Sequence, residues 1–205
     1  EKMQNIFSKK HDLSWPTEFT ARVKDGTEFT IPENLFERID DDKVKYLKES
    51  FGEIIEKQVL HKADTIWSLP ELLWIKNNEP ENWSKVRKIL FAKDYVRHQL
   101  TGDYVTDYIE AEGSMMFDIN TMKWSKELCG ILGIDTEMMP QIVRPTDIVG
   151  RITKQASELT GLAEGTPVLC GTTDTVMEVF ASGAVSKGQM TLKLATAGRI
   201  CVVTD

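Results

Sequence analysis

The residue best suited to chemistry in this sequence is Asp174, which lies in the segment 170–177 (CGTTDTVM). A turn of small residues here follows an apolar strand candidate and puts the carboxylate at the start of a helix. Ligands bind at such strand-to-helix turns of α/β sheets because backbone amides are exposed there. A carboxylate in this place can accept a proton from a substrate hydroxyl. Taken alone, the pattern fits a helix-capping aspartate better.

Two further segments carry side chains that could bind a ligand. In the segment 194–198 (LATAG), small residues would let the backbone approach a phosphate, and Thr196 offers a hydroxyl. Elsewhere, Tyr108 could stack on or hydrogen-bond to a polyol, and Asp107 could hold a hydroxyl. Each segment also has a plainer interpretation, a hairpin turn for the first and a turn aspartate beside a core tyrosine for the second.

Apolar periodicity predicts helices and short strands around these segments. An acidic start at 40–42 suits a helix N-terminus, and the apolar face that follows contains Val44, Leu47, Phe51, Ile54 and Ile55. Further helices are predicted at 69–77, 83–100, 124–132, 152–162 and 174–183, with closing glycines at 102, 133 and 161. Strands are predicted at 168–170 (buried), 190–194 and 199–203, an extended segment at 142–152, and a hairpin at 18–31.

The composition excludes several classes of protein. The net charge of −7 disfavours a nucleic-acid binder, which needs a basic face. No apolar run approaches the ~18 residues of a membrane helix. Three separated cysteines and three isolated histidines suggest neither a metal site nor a catalytic triad, so no metal-ligating residue is assigned. Isolated cysteines fit a reducing compartment, so we expect a cytoplasmic location.

The order of several segments resembles the FGGY family of carbohydrate kinases. The segment 68–83 (SLPELLWIKNNEPENW) is similar to the first family signature, with Ser68, Trp74, Ile75 and Asn78 in register. The segment 93–118 (KDYVRHQLTGDYVTDYIEAEGSMMFD) looks like the next conserved block. The pattern continues through Trp124, 139–140 (MP), 149–150 (VG), 160–174 (TGLAEGTPVLCGTTD) and 192–200 (LKLATAGRI).

This resemblance implies an α/β fold built from actin-like, ribonuclease-H-like domains, with ATP and sugar bound between two of them. Residues 1–184 would be the latter part of the N-terminal, sugar-binding domain, and 185–205 the start of the C-terminal, nucleotide-binding domain. The implied reaction is phosphorylation of a sugar hydroxyl by ATP with Mg²⁺. The implied roles are catalytic base for Asp174, sugar contacts for Tyr108, Asp107 and Thr173, and phosphate contacts for Thr196 and Ala197. No nucleic acid or membrane is expected as a partner, and a homodimer is left open.

The sequence also departs from the family pattern. It lacks the Asp-X-Gly-Thr phosphate motif with which these kinases open and the second signature of their C-terminal domain. Glu71 stands where lysine is usual, Ala195 replaces a glycine of the phosphate loop, and Ala197 replaces a serine or glycine. We therefore expect a fragment that is not a competent kinase alone, and a non-catalytic member is the alternative. The segments most resemble those of xylulokinases, so we expect a pentulose as the substrate first. Gluconate, ribulose and glycerol are the alternative substrates.

Overall fold

The computed structural model describes residues 18–22, 28–32, 41–194 and 198–204; for 18–22, 28–32 and 41 it describes the backbone alone. The helices are α1 (Asp41–Gln58), α2 (Ser68–Asn78), α3 (Pro80–Trp83), α4 (Ala92–Thr101), α5 (Tyr108–Gly113), α6 (Lys126–Ile131), α7 (Lys154–Thr160) and α8 (Asp174–Ala181), with a 3₁₀ turn at Thr136–Met138. Within the described ranges, none of these helices is both long enough and apolar enough to cross a membrane.

The strands form two-stranded pairs. They are β1 (Glu18–Arg22), β2 (Glu28–Pro32), β3 (Val105–Asp107), β4 (Phe117–Asp118), β5 (Lys123–Trp124), β6 (Gln141–Val143), β7 (Ile148–Arg151), β8 (Pro167–Leu169), β9 (Met190–Leu194) and β10 (Gly198–Val202). β3 pairs with β6 in parallel, whereas β1–β2, β4–β5, β7–β8 and β9–β10 are antiparallel. The predicted hairpin at 18–31 is confirmed by its two strands, whereas residues 23–27 between them lie outside the described residues.

The apolar core lies mainly among the helices. The predicted face of α1 is confirmed, because Val44, Leu47 and Ile55 are buried while Phe51 and Ile54 pack against the same cluster. From the rest of the chain the cluster takes in Leu69, Leu73, Met115, Met116, Leu128 and Leu132, among others. The cluster also includes Phe91, the residue that immediately precedes α4 beside the candidate site.

Glycines end two of the helices as predicted. Gly102 follows α4 with φ 78°, and its amide donates to the carbonyl of His98 over 2.7 Å. Gly161 follows α7 with φ 79° and donates to Ser157. Both positions use the left-handed conformation that a residue without Cβ adopts at little cost.

The single helix predicted for 83–100 is wrong, because residues 84–91 form an irregular segment between α3 and α4. The backbone of Ile89 is bound by tertiary contacts that a helix would not allow. Its amide donates to the carbonyl of Met138 over 3.0 Å, and its carbonyl accepts from the Tyr104 hydroxyl over 2.6 Å. These contacts, with the burial of Ile89 and Phe91, override helix propensity.

Two strand predictions also need correction. The extended segment 142–152 is two strands, because a turn at 144–147 closes with the Asp147 amide donating to the Arg144 carbonyl. The strand predicted as buried, β8, leaves Leu169 56% exposed, and burial returns only at Cys170. Within the described part of the chain β8 pairs with β7 alone, so one edge of the strand stays open.

A matched pair of glycine substitutions tests the helix ends. Gly102→Ala should lower the free energy of unfolding by about 1 kcal/mol, because a Cβ strains the left-handed conformation although nothing lies within 4 Å of it. Gly52→Ala, inside α1 and equally free of clashes, should raise it by up to about 1 kcal/mol. Urea denaturation measures both, and equal shifts of the same sign would contradict the assignment.

Candidate active site

Asp174 is the first residue of α8, and its side chain is exposed. Its Oδ1 accepts hydrogen bonds from the Thr175 amide over 2.6 Å and the Thr175 hydroxyl over 3.2 Å. Its other oxygen, Oδ2, makes no hydrogen bond to a described residue. Thr173, not Asp174, is the N-cap, and its side chain makes no capping bond. One carboxylate oxygen therefore supports the helix end while the other stays available to a ligand.

The turn that leads to Asp174 is fixed by backbone contacts. The Cys170 amide donates to the carbonyl of Asp147, and the Gly171 amide donates to that of Pro145, each over 2.9 Å. Gly171 has φ 73°, which glycine adopts without strain. The small residues noticed in the sequence thus allow the chain to leave β8 and enter α8 within a few residues.

Asp107 ends β3 and caps α5, and its side chain is fully buried. Its Oδ1 accepts from the Ile109 and Glu110 amides over 3.0 and 3.3 Å and from the Thr172 hydroxyl over 2.9 Å. Its Oδ2 lies 2.8 Å from Nζ of Lys93. The expected direct contact of Asp107 with a sugar hydroxyl is therefore not favoured by the geometry, because protein groups already surround the carboxylate.

Tyr108 and Thr173 are half-buried and lie on neighbouring segments, joined through the hydrogen bond between Asp107 and Thr172. The Tyr108 hydroxyl makes no hydrogen bond to a described residue, unlike the satisfied core tyrosine that the sequence left as an alternative. The structure thus brings the start of α5 next to the turn before Asp174. A sugar contact for Tyr108 and Thr173 stays a prediction.

Behind these segments lies a network of buried charges that sequence reasoning missed. Arg97 Nη1 lies 2.9 Å from Asp94 Oδ1, and Arg97 Nε lies 3.2 Å from Asp103 Oδ1. Lys93 Nζ lies 2.7 Å from Asp94 and 2.8 Å from Asp107. Lys93 and Arg97 are four residues apart in α4, and this spacing predicts that both lie on the same face of the helix. It does not predict which acidic residues they contact.

The network shifts the pKa of its bases upward. Burial lowers the pKa of Lys93, but hydrogen bonds to Asp107 and Asp94 and their charges outweigh it, so the pKa is raised. For Arg97, burial again lowers the pKa, and the charges of Asp94 and Asp103, with the hydrogen bond to Asp103, raise it above its ordinary value. Both cations therefore stay charged while held inside the protein.

Glu110, in the first turn of α5, is a partly buried acid whose pKa is raised above its ordinary value. Burial raises its pKa, the charge of Lys93 opposes that shift, and the charges of Asp94, Asp107 and Asp174 add to it. Its Oε2 is 3.9 Å from Lys93 Nζ. Glu110 is thus an ionisable neighbour of Asp174 that the sequence analysis did not single out.

The remaining site expectations concern phosphates and metal. Thr196 and Ala197 lie outside the described residues, so their phosphate contacts stay predictions. In the ranges 41–194 and 198–204, no three His, Cys, Asp or Glu side chains gather into a metal site. A Mg²⁺ ion is commonly held by one or two carboxylates together with the phosphates of its substrate, so Mg²⁺ binding stays a prediction. Burial raises the pKa of the Cys129 thiol to about 12 and that of Cys170 to about 11, which keeps both neutral.

Residues 42–181 match the model of the FGGY family of carbohydrate kinases, N-terminal domain. The chain belongs to this family. It is 32% identical over 154 residues to a xylulose kinase of Bacillus subtilis, covering 75% of this chain and 31% of the relative. It is 27% identical over 161 residues to a gluconokinase of Bacillus licheniformis, covering 78% of this chain and 31% of that protein.

The structure is similar to that of a gluconate kinase from Lactobacillus acidophilus, with a TM-score of 0.74 and 25% identity over 90% of this chain and 38% of that one. The expected fold class, a partial actin-like α/β domain of an FGGY kinase, is confirmed. The chain spans about a third of the length of the curated relatives it matches.

The raised pKa of Glu110 predicts how stability depends on pH. Because the folded pKa lies above the ordinary value of 4.5, stability falls as the pH rises from there through the folded pKa. Glu110→Gln imitates the protonated form, so it should be more stable than the parent protein near about pH 8 and equal to it near about pH 4. Thermal unfolding at several pH values measures this difference.

The matched control is Glu164→Gln, which changes an exposed glutamate before β8. It should shift the unfolding midpoint little at any pH. A Glu110→Gln protein that is less stable than its parent near about pH 8 would contradict the stated direction.

Proposed function

We propose that this chain is part of an ATP-dependent carbohydrate kinase that phosphorylates a hydroxyl of a sugar or polyol. In this proposal residues 1–184 belong to the sugar-binding domain and 185–205 begin the nucleotide-binding domain. The family match over 42–181 supports the first assignment. Because the chain spans 31% of its curated relatives, the rest of the ATP site would come from segments beyond those described here.

The observation that carries the proposal is the carboxylate of Asp174. It is exposed, it stands at a helix N-terminus on an anchored turn, and none of the described residues donates a hydrogen bond to its Oδ2. Asp174 accepts the proton of the sugar hydroxyl as that oxygen bonds to the γ-phosphorus of ATP. ATP supplies the phosphoryl group, and the oxygen that bridged the β- and γ-phosphates leaves with ADP. Thr196 and Ala197 would contact the phosphates.

The neighbouring residues would orient the sugar. Tyr108 offers a ring face and a hydroxyl that makes no hydrogen bond within the described part of the chain, and Thr173 offers a hydroxyl one residue before Asp174. Positioning contributes strongly to phosphoryl transfer because the reacting oxygen must lie in line with the bond that breaks. The Lys93–Asp107 pair stays behind this surface and holds the segment that bears Tyr108.

Xylulose is the substrate we propose first, since a xylulose kinase is a relative at 32% identity. Gluconate is the second, since a gluconokinase and the structure of a gluconate kinase are also similar to this chain. Ribulose and glycerol complete the panel to be tested. We place the protein in the cytoplasm, where ATP is available, and treat a homodimer as open.

A non-catalytic protein of the same fold is the second candidate. Ala195, which stands where the family's phosphate loop has a glycine, favours it. The two candidates differ in one measurable property, because only the kinase transfers phosphate from ATP to any sugar of the panel.

Asp174→Asn in the intact gene product tests the proposal. The amide keeps the shape and the contact with Thr175 but cannot take up the proton, so kcat should fall about 10²–10⁴-fold. The change at the helix end should cost at most about 1 kcal/mol, so the melting temperature should move little. The measurement is phosphate transfer from ATP to xylulose, gluconate, ribulose and glycerol, beside thermal unfolding.

Glu158→Gln is the control, because it removes an exposed carboxylate on α7 and should leave kcat unchanged. An Asp174→Asn protein with near-normal kcat would show that another group takes the proton. Absence of transfer to every sugar by the parent protein would favour the non-catalytic candidate.

A further inference from the structure

Two side chains from the region of α4 and β3 hold the turn that leads to Asp174. Arg97 Nη1 donates to the carbonyl of Cys170 over 2.6 Å. The Thr172 hydroxyl donates to Asp107 Oδ1 over 2.9 Å. Cys170 and Thr172 therefore each bind a buried charged residue, and Asp174 follows two residues after the second contact.

The acceptor of the Thr172 hydroxyl is itself immobilised. Asp107 is fully buried, its Oδ1 also receives two backbone amides at the start of α5, and its Oδ2 faces Lys93. A carboxylate with several donors around it cannot turn without leaving them unpaired. The Thr172 hydroxyl is thus tied to a fixed point of the domain, whereas the Asp174 side chain is exposed.

We propose that Thr172, through its hydrogen bond to Asp107, is a positioning residue that sets the place of the Asp174 carboxylate for proton transfer. The inference rests on the proposed function. A general base must lie within about 2.6–3.2 Å of the proton it abstracts. A misplacement of about 1 Å can reduce the rate about 10²-fold. Thr172 touches neither sugar nor nucleotide in this role; it acts through Asp174.

Thr172→Val in the intact gene product removes the hydroxyl and keeps the shape of the side chain. It should lower kcat at least about 10-fold, because the turn loses its side-chain link to Asp107. The KM for sugar should change by less than about twofold, because Thr172 contributes no binding contact. The measurement is steady-state kinetics with ATP and the preferred sugar of the panel, together with the melting temperature.

Thr172→Ser is the matched rescue, because it keeps the donor and loses only the methyl group. It should retain kcat within about twofold of the parent value. A residue needed only for packing would give the opposite ranking, with serine more harmful than valine. That ranking, a normal kcat for Thr172→Val, or a raised KM with unchanged kcat would each overturn the proposal.

Asp174→Asn in the same assays separates this inference from the proposed function. If Asp174→Asn is inactive while Thr172→Val is normal, the positioning role fails and the catalytic role stands. If Asp174→Asn is active, another group takes the proton and the positioning role of Thr172 fails with the catalytic role of Asp174. Only a parent protein that transfers phosphate to no sugar would overturn the proposed function itself. If Thr172→Val does not fold, Thr172→Ala removes the same hydrogen bond without placing a methyl group at the carboxylate. The kcat and KM criteria given for Thr172→Val then apply to Thr172→Ala.

Discussion

The guanidinium of Arg97 is the contact on which the rest of the site depends. It pairs with Asp94 in its own helix and Asp103 after it, and it donates to the carbonyls of Val105 in β3 and Cys170 after β8. A buried cation that lost these partners would be strongly destabilising, by about 3–5 kcal/mol. The helix, the parallel strand and the turn before Asp174 are therefore held in one arrangement.

The same network explains why two acids of the site differ. Asp107 is enclosed by donors and by Lys93, so contacts within the protein fix the position of its carboxylate. Asp174 lies beyond the network and is exposed, and one of its oxygens accepts no hydrogen bond from the residues that the structure describes. Two carboxylates on adjacent segments thus have different environments, and the environment of each determines the chemistry open to it.

Sequence patterns predicted most of the local structure. The apolar face of α1 and the closing glycines at 102 and 161 depend on local rules, and the structure has them where the sequence placed them. The break at 84–91 was missed because the backbone of Ile89 is bound by Tyr104 and Met138, which are distant in sequence. Helix propensity and apolar periodicity carry no information about contacts between residues that are distant in the sequence.

The same limit applies to the site, where local patterns were predicted and contacts between distant residues were not. The turn before α8 was visible as a run of small residues followed by an acid, and the order of motifs pointed to a kinase. The inward placement of Asp107 and the roles of Lys93, Arg97 and Thr172 arise from contacts such as Arg97 with Cys170, 73 residues apart. Side-chain direction across such distances is set by packing, which spacing alone does not encode.

A double-mutant cycle between Thr172→Val and Asp174→Asn tests the central claim most directly, by measuring kcat of the intact protein with ATP and its preferred sugar. If Thr172 acts through the Asp174 carboxylate, Thr172→Val should change kcat less than about twofold once that carboxylate is gone. Effects of residues that act as one unit do not multiply. A further loss of about 10-fold in the Asp174→Asn background would contradict the account, because the two residues would then act independently.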